Sequence, residues 1–134
     1  MKLIFCIDKN NGMLVFGKRQ SQDQVLREWL INHTRDSKLW MSEYSAQQFA
    51  GLSGYVADDN YLDKAKADDY CFIEDKGYNL DSTNEIILCH WNRRYQADKF
   101  FCIDLNANGF KKVKSEDITG SSHEKITIEI YKRG

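Results

Sequence analysis

The sequence predicts an α/β fold: a mixed central sheet with flanking helices, parallel in its early strands and antiparallel at its C-terminal edge. Three observations carry this. The first half of the chain alternates strand-like apolar runs with segments of helical periodicity, the pattern of a parallel sheet with crossovers. The second half is mostly strand-like runs. The last of them alternates cleanly, with Ile126, Ile128 and Ile130 facing one way and Thr127, Glu129 and Tyr131 the other, as a half-exposed antiparallel strand does. No repeat, low-complexity tract or linker interrupts the 134 residues, which are read as one domain, 1–134.

Residues 2–8 read as a buried first strand, with the apolar run Leu3 to Ile7 closed by Asp8. That run is too short for the core of a signal peptide. Asp8-Lys9-Asn10-Asn11-Gly12 is a turn signal, in which Asn11-Gly12 tolerates positive φ. Residues 13–20 carry Gly17, Lys18 and Arg19 and read as an exposed loop. A helix is expected at about 22–34, because Val25, Leu26, Trp29 and Leu30 recur on one face. Ser21 is its expected N-cap, with Gln24 three residues on, and Trp29 its expected anchor on the sheet. Lys38-Leu39-Trp40-Met41 is the next strand, and residues 43–50 a short helix with Tyr44, Ala46 and Phe49 inward. A brief strand at 55–57 precedes Asp58-Asp59, expected to cap a helix carrying Tyr61, Leu62, Ala65 and Ala67. Strands then follow at 70–73, 86–89, 100–103, 110–114 and 126–131.

Composition excludes several classes. With 19 basic against 20 acidic residues, the net charge of −1 gives no general attraction to nucleic acid or an anionic membrane. No apolar run approaches the roughly 18 residues of a membrane span. Proline is absent, so turns rely on Gly, Asn, Asp and Ser. Arg93-Arg94 beside Trp91 and Tyr95 reads as a solvated loop, and Lys111, Lys112 and Lys114 as edge-strand charges that discourage aggregation. His33 falls near a helix end and His123 in a polar turn. No phosphate loop, nucleophile elbow, dinucleotide fingerprint or paired-histidine metal motif is present.

Cys6, Cys71, Cys89 and Cys102 each lie inside an apolar, strand-like run, and no CxxC pair exists. Cys89 and His90 are adjacent on a strand and so point to opposite faces, which suits no shared metal. All four cysteines are expected to be reduced, buried, on strands and without metal, in a cytoplasmic protein.

The order of these segments resembles dihydrofolate reductase, collinearly over nearly the whole chain. Leu3 to Gly12 resembles that family's first strand and loop, an apolar run into Asp-x-x-x-Gly. Lys38-Leu39-Trp40-Met41 with Ser42-Glu43-Tyr44-Ser45 resembles its second strand and next helix. Tyr70-Cys71-Phe72-Ile73 resembles the strand before its glycine pair, and Ile87-Leu88-Cys89 its Tyr-Leu-Thr strand. Ala97-Asp98-Lys99-Phe100-Phe101 resembles its Gly-Asp-Thr-x-Phe segment. Phe110 to Glu116, Ser122-His123-Glu124-Lys125 and Glu129 to Arg133 resemble its closing hairpin. The resemblance implies that family's fold.

The departures concern chemistry. The family holds NADPH phosphates partly on a Gly-Gly turn opening a helix, where backbone approach and the helix N-terminus favour an anion. The matching pair here is Glu74-Asp75, and too few residues follow for that helix. Its phosphate-pairing Arg is matched by Glu43, so that only a hydroxyl, Ser45, remains of Gly-Arg-x-Thr. Its Leu-Pro-Trp is missing, since residues 16–20 read Phe-Gly-Lys-Arg-Gln. The resemblance makes Asp23 the nearest match to the family's catalytic acid, though read alone it is a first-turn carboxylate favoured by the helix dipole. Cys89 stands where the family has a Thr hydroxyl, a stronger donor than a thiol. The candidate ligand-contacting residues are therefore Asp23, Ser45 and Cys89. No cofactor is expected, because Glu43, Glu74 and Asp75 replace the phosphate-binding residues. The expected role is binding of a small molecule or a protein on a retained scaffold. A residual NADPH-dependent reductase and a hydrolase of nucleotides or RNA are the alternatives.

Overall fold

The structure, a computed structural model, describes residues 1–134. Its strands are β1 (Lys2–Ile7), β2 (Gly12–Val15), β3 (Lys18–Arg19), β4 (Leu39–Met41), β5 (Val56–Ala57), β6 (Tyr70–Phe72), β7 (Glu85–His90), β8 (Lys99–Phe100), β9 (Phe110–Ile118) and β10 (Ile126–Arg133). Its helices are α1 (Gln24–His33), α2 (Glu43–Ala46) and α3 (Tyr61–Lys64). Seven strands form one sheet in the order β5-β4-β6-β1-β7-β10-β9. From β5 to β7 neighbours are parallel, and β10 pairs antiparallel with both β7 and β9. The mixed sheet with its antiparallel C-terminal edge is the architecture expected from the sequence.

β1 and β7 sit at the centre and are apolar on both faces, as strands covered on both sides must be. One face carries Leu3, Phe5, Ile7, Ile86 and Leu88 against Tyr61, Phe101 and Phe110. The other carries Ile4, Ile87, Cys89 and the Ile126, Ile128, Ile130 face of β10 against Leu26 and Leu30 of α1 and Phe49. No helix joins β6 to β7. The crossover is a loop whose Tyr78 ring packs edge-on against Phe5 at 5.4 Å and whose Leu80 adds to the same cluster.

Several local expectations are corrected. Residues 13–20 are not an exposed loop: β2 and β3 pair as a hairpin, and Met13 and Leu14 are buried. The turn is Phe16-Gly17, with φ of 49° and 75°, a geometry usually signalled by Asn-Gly, and Phe16 lacks that mark. The cap of α1 is Asp23, not Ser21; its carboxylate accepts from the amides of Val25 and Leu26. The helix after Asp58-Asp59 is a single turn, and the strand expected at 100–103 stops at Phe100. Cys102 is consequently exposed and off any strand, while Cys6 is half-buried and Cys71 and Cys89 are buried. All four thiols are free.

Trp29 is also corrected. Leu26 and Leu30 are the buried residues of α1, whereas Trp29 is half-buried and stacks on His33 at 4.6 Å between ring centres. Because it is only half-buried, Trp29→Ala is expected to cost less than Leu30→Ala, about 1–2 kcal/mol. Thermal melts of the two variants check this, and an equal or larger loss at Trp29 would reverse the assignment.

Candidate functional site

The site lies where α1 leaves the sheet, against the loop between β9 and β10. Asp23 precedes α1 and is 2 % exposed. Its Oδ1 accepts from the amides of Val25, Leu26 and Ser121 at 2.9, 3.2 and 3.0 Å. Its Oδ2 accepts from the Ser122 amide at 2.8 Å, the Ser122 hydroxyl at 3.1 Å and His123 Nδ1 at 3.0 Å. Burial by itself would push this carboxyl up. The Ser122 amide, the His123 ring and the amides of Ser121 and Leu26 outweigh it and hold the group well below the usual carboxylate range. Gly120 is required beside it: a Cβ there would collide with the Asp23 carboxylate and with the His123 carbonyl oxygen.

An ionised Asp23 can only accept, so Nδ1 of His123 donates to it, and in the neutral ring Nε2 is then the acceptor. Two hydroxyls face Nε2, Ser21 Oγ at 3.0 Å and Tyr95 Oη at 3.1 Å. They are 3.4 Å from each other. The Trp91 ring stacks on His123, with ring centres 4.6 Å apart and planes 25° apart, which fixes the ring against rotation. A Ser–His–Asp relay is thus assembled from residues about 100 apart in sequence.

A second cluster closes the C-terminal end of β6. Arg19 of β3 donates Nε and Nη2 to the two oxygens of Glu74, both at 3.2 Å. Both side chains are nearly shielded, 16 % and 8 % exposed, so the bidentate pair is well ordered. The guanidinium also lies 4.3 Å from the Tyr44 ring centre and donates to the Tyr44 carbonyl at 3.0 Å. Lys99 donates to the Glu74 carbonyl at 2.9 Å. Asp75 accepts from Ser42 Oγ at 2.6 Å. Glu43 alone of the three carboxylates is exposed.

Between the two clusters runs a narrow cleft under α1. It has two adjoining parts, each with a cavity volume of about 10 Å³, which share Cys6, Ser21, Glu74 and Trp91. The first is mostly apolar, with Leu26, Leu30, Phe49 and Phe72 behind Ser21 and Arg27. Each holds about one water molecule, so a small ligand enters only if α1 parts from the sheet. A wider depression at Lys9, Asn92, Arg93, Glu124 and Lys125 is polar and open to water.

The three candidate residues do not converge. Asp23 borders the cleft, with both oxygens already saturated. Ser45 is fully buried inside the α2 turn, where its amide donates to Ser42 Oγ at 3.1 Å. Cys89 is fully buried in β7, in register with Cys6 of β1. The hydrogen bond that the Cys6 thiol donates to the neighbouring Cys89 sulfur, followed by burial, pushes the Cys6 thiol well above its ordinary value, so it stays protonated. Sequence reasoning missed Ser21 as a histidine partner, His123 as a buried group and Arg19 as the partner of Glu74. Nothing local marks them. The one clue is the small Gly120-Ser121-Ser122 run before His123, which frees two amides for a carboxylate.

No protein-family model matches the chain, and no curated protein matches it in sequence. Its backbone is similar to that of a dihydrofolate reductase from Enterococcus faecalis, solved with NADP(H) and RAB-propyl. The TM-score is 0.69 at 13 % identity, over 99 % of this chain and 95 % of that one. The fold of this chain is therefore dihydrofolate-reductase-like.

Proposed function

We propose that this chain binds a small molecule in the cleft under α1 and is not an NADPH-dependent reductase. The observation that carries the reading is the Arg19–Glu74 pair seated over Tyr44. It occupies the end of β6, where the resemblance would put a cofactor's phosphates, and the similar reductase was solved with NADP(H). A phosphate site needs free amides, countercharge and room. Here the guanidinium at that end, Arg19, is already held by a buried carboxylate. Admitting a phosphate would separate that pair and leave Glu74 buried without its partner, at a cost of about 3–5 kcal/mol. About 4 kcal/mol turns a micromolar site into a millimolar one. Asp23 supports the same reading, because a carboxylate held by six donors has no proton to give a substrate.

Calorimetry with NADPH at moderate salt is the test. No saturable binding is expected in the micromolar range. A dissociation constant below about 10 μM would restore the reductase reading.

A further inference from the structure

We propose that Ser21 is an activated nucleophile and that the cleft under α1 is an acyl-transfer site for small esters of short acyl groups. The inference rests on the cleft being a small-molecule site, as argued above, and adds a reaction to it. Three features point the same way. The relay has the required order and tautomer: Ser21 Oγ to His123 Nε2 at 3.0 Å, and His123 Nδ1 to Asp23 Oδ2 at 3.0 Å. The carboxylate and the ring are fully shielded while Ser21 keeps partial exposure at the cleft wall, the arrangement a buried base and an accessible nucleophile need. An apolar seam of about 10 Å³, lined by Leu26, Phe49 and Phe72, adjoins Ser21, and a short acyl chain would enter it by displacing these side chains.

The steps balance without any further reagent. Ser21 Oγ bonds to the acyl carbon as its proton passes to His123 Nε2, and Asp23 stabilises the resulting imidazolium. The oxyanion has one donor at hand: Arg27 lines the same cavity, steadied by Gln22 Oε1 at 3.2 Å. The carbon–oxygen ester bond then breaks, and the leaving alcohol takes the proton back from His123. Water attacks the acyl-Ser21 by the same route in reverse, giving the free acid and restoring the hydroxyl. Tyr95, within reach of both Ser21 and His123, competes for Nε2 in the resting protein and must release it when the acyl group arrives.

The test uses a small alkyl fluorophosphonate and p-nitrophenyl acetate on the full chain, with mass spectrometry and peptide mapping. The expected result is one phosphonyl group, confined to Ser21, and with the ester a stoichiometric nitrophenolate burst that leaves one acetyl group on Ser21. Ser21→Ala removes one half-buried hydroxyl and should keep the circular dichroism of the folded protein while losing both adducts. His123→Gln should slow labelling about 100-fold or more. Asp23→Asn, assayed well below its melting temperature, presents an amide donor to Nδ1 and so disfavours the working tautomer. It should slow labelling of a folded protein, which a purely structural role would not do. The proposal is overturned if folded wild-type protein gains no adduct on Ser21, if Ser21→Ala is labelled equally, or if folded His123→Gln keeps the wild-type rate. NADPH binding would overturn the previous reading without changing any of these readouts.

Discussion

Asp23→Ala is expected to lower the melting temperature by about 10–20 °C. The change removes the acceptor for four amides, one hydroxyl and the His123 ring at once. Loss of an N-cap alone costs about 0.5–2 kcal/mol. Leaving buried donors without their charged partner raises the total to about 3–5 kcal/mol. A chain of this size loses about 3–4 °C per kcal/mol, which gives the stated range. The same carboxylate sets an acid dependence whose sign is fixed. Its folded pKa is lowered, so its contribution is complete above the unfolded value of about 3.9 and is lost as pH falls toward the folded value. Denaturant melts at several pH values should show the gap between wild type and Asp23→Ala shrinking as pH falls below about 4. A gap that stays constant into strong acid, or one of less than about 1 kcal/mol at neutral pH, would remove Asp23 from the centre of this network.

Leu30→Ala is expected to cost about 2–5 kcal/mol, comparable to the loss of Asp23 but through another mechanism. Leu30 is 1 % exposed and lies in the cluster with Leu26, Phe49, Ile87 and Ile128. Deleting its three outer carbons leaves a void that the rigid sheet behind it fills poorly. Because β10 and α1 meet there, the cost should appear as a shifted denaturant midpoint with an unchanged slope. The effect should be independent of pH across the range in which Asp23→Ala varies. A loss below about 1 kcal/mol would mean that α1 is held mainly by its capped end and not by its apolar face.

The fold was largely legible because it is written in local patterns. Continuous apolar runs at Leu3–Ile7 and Ile86–Cys89 mark central parallel strands, and the period of two in Ile126–Tyr131 marks the antiparallel edge. The β2–β3 hairpin was not legible, because Phe16 takes a positive φ that its residue type does not advertise. Trp29 was misplaced because periodicity gives the direction of a side chain, not how much of it the neighbouring elements cover.

The candidate site divides in the same way. The sequence by itself determined the acids at 43, 74 and 75 and the carboxylate at the start of α1. Only the tertiary structure decided what these charges meet. Arg19 comes from a hairpin and Glu74 from the end of β6, 55 residues later; their pairing turns an isolated buried charge into a closed bidentate contact. Ser21, Asp23 and His123 likewise acquire their order only when the β9–β10 loop folds over the start of α1. Hydrogen bonds and ion pairs act within about 3–4 Å and carry no period along the chain. Strand and helix patterns therefore reveal the scaffold, while the partners of each polar group are fixed only by which loops the sheet brings together.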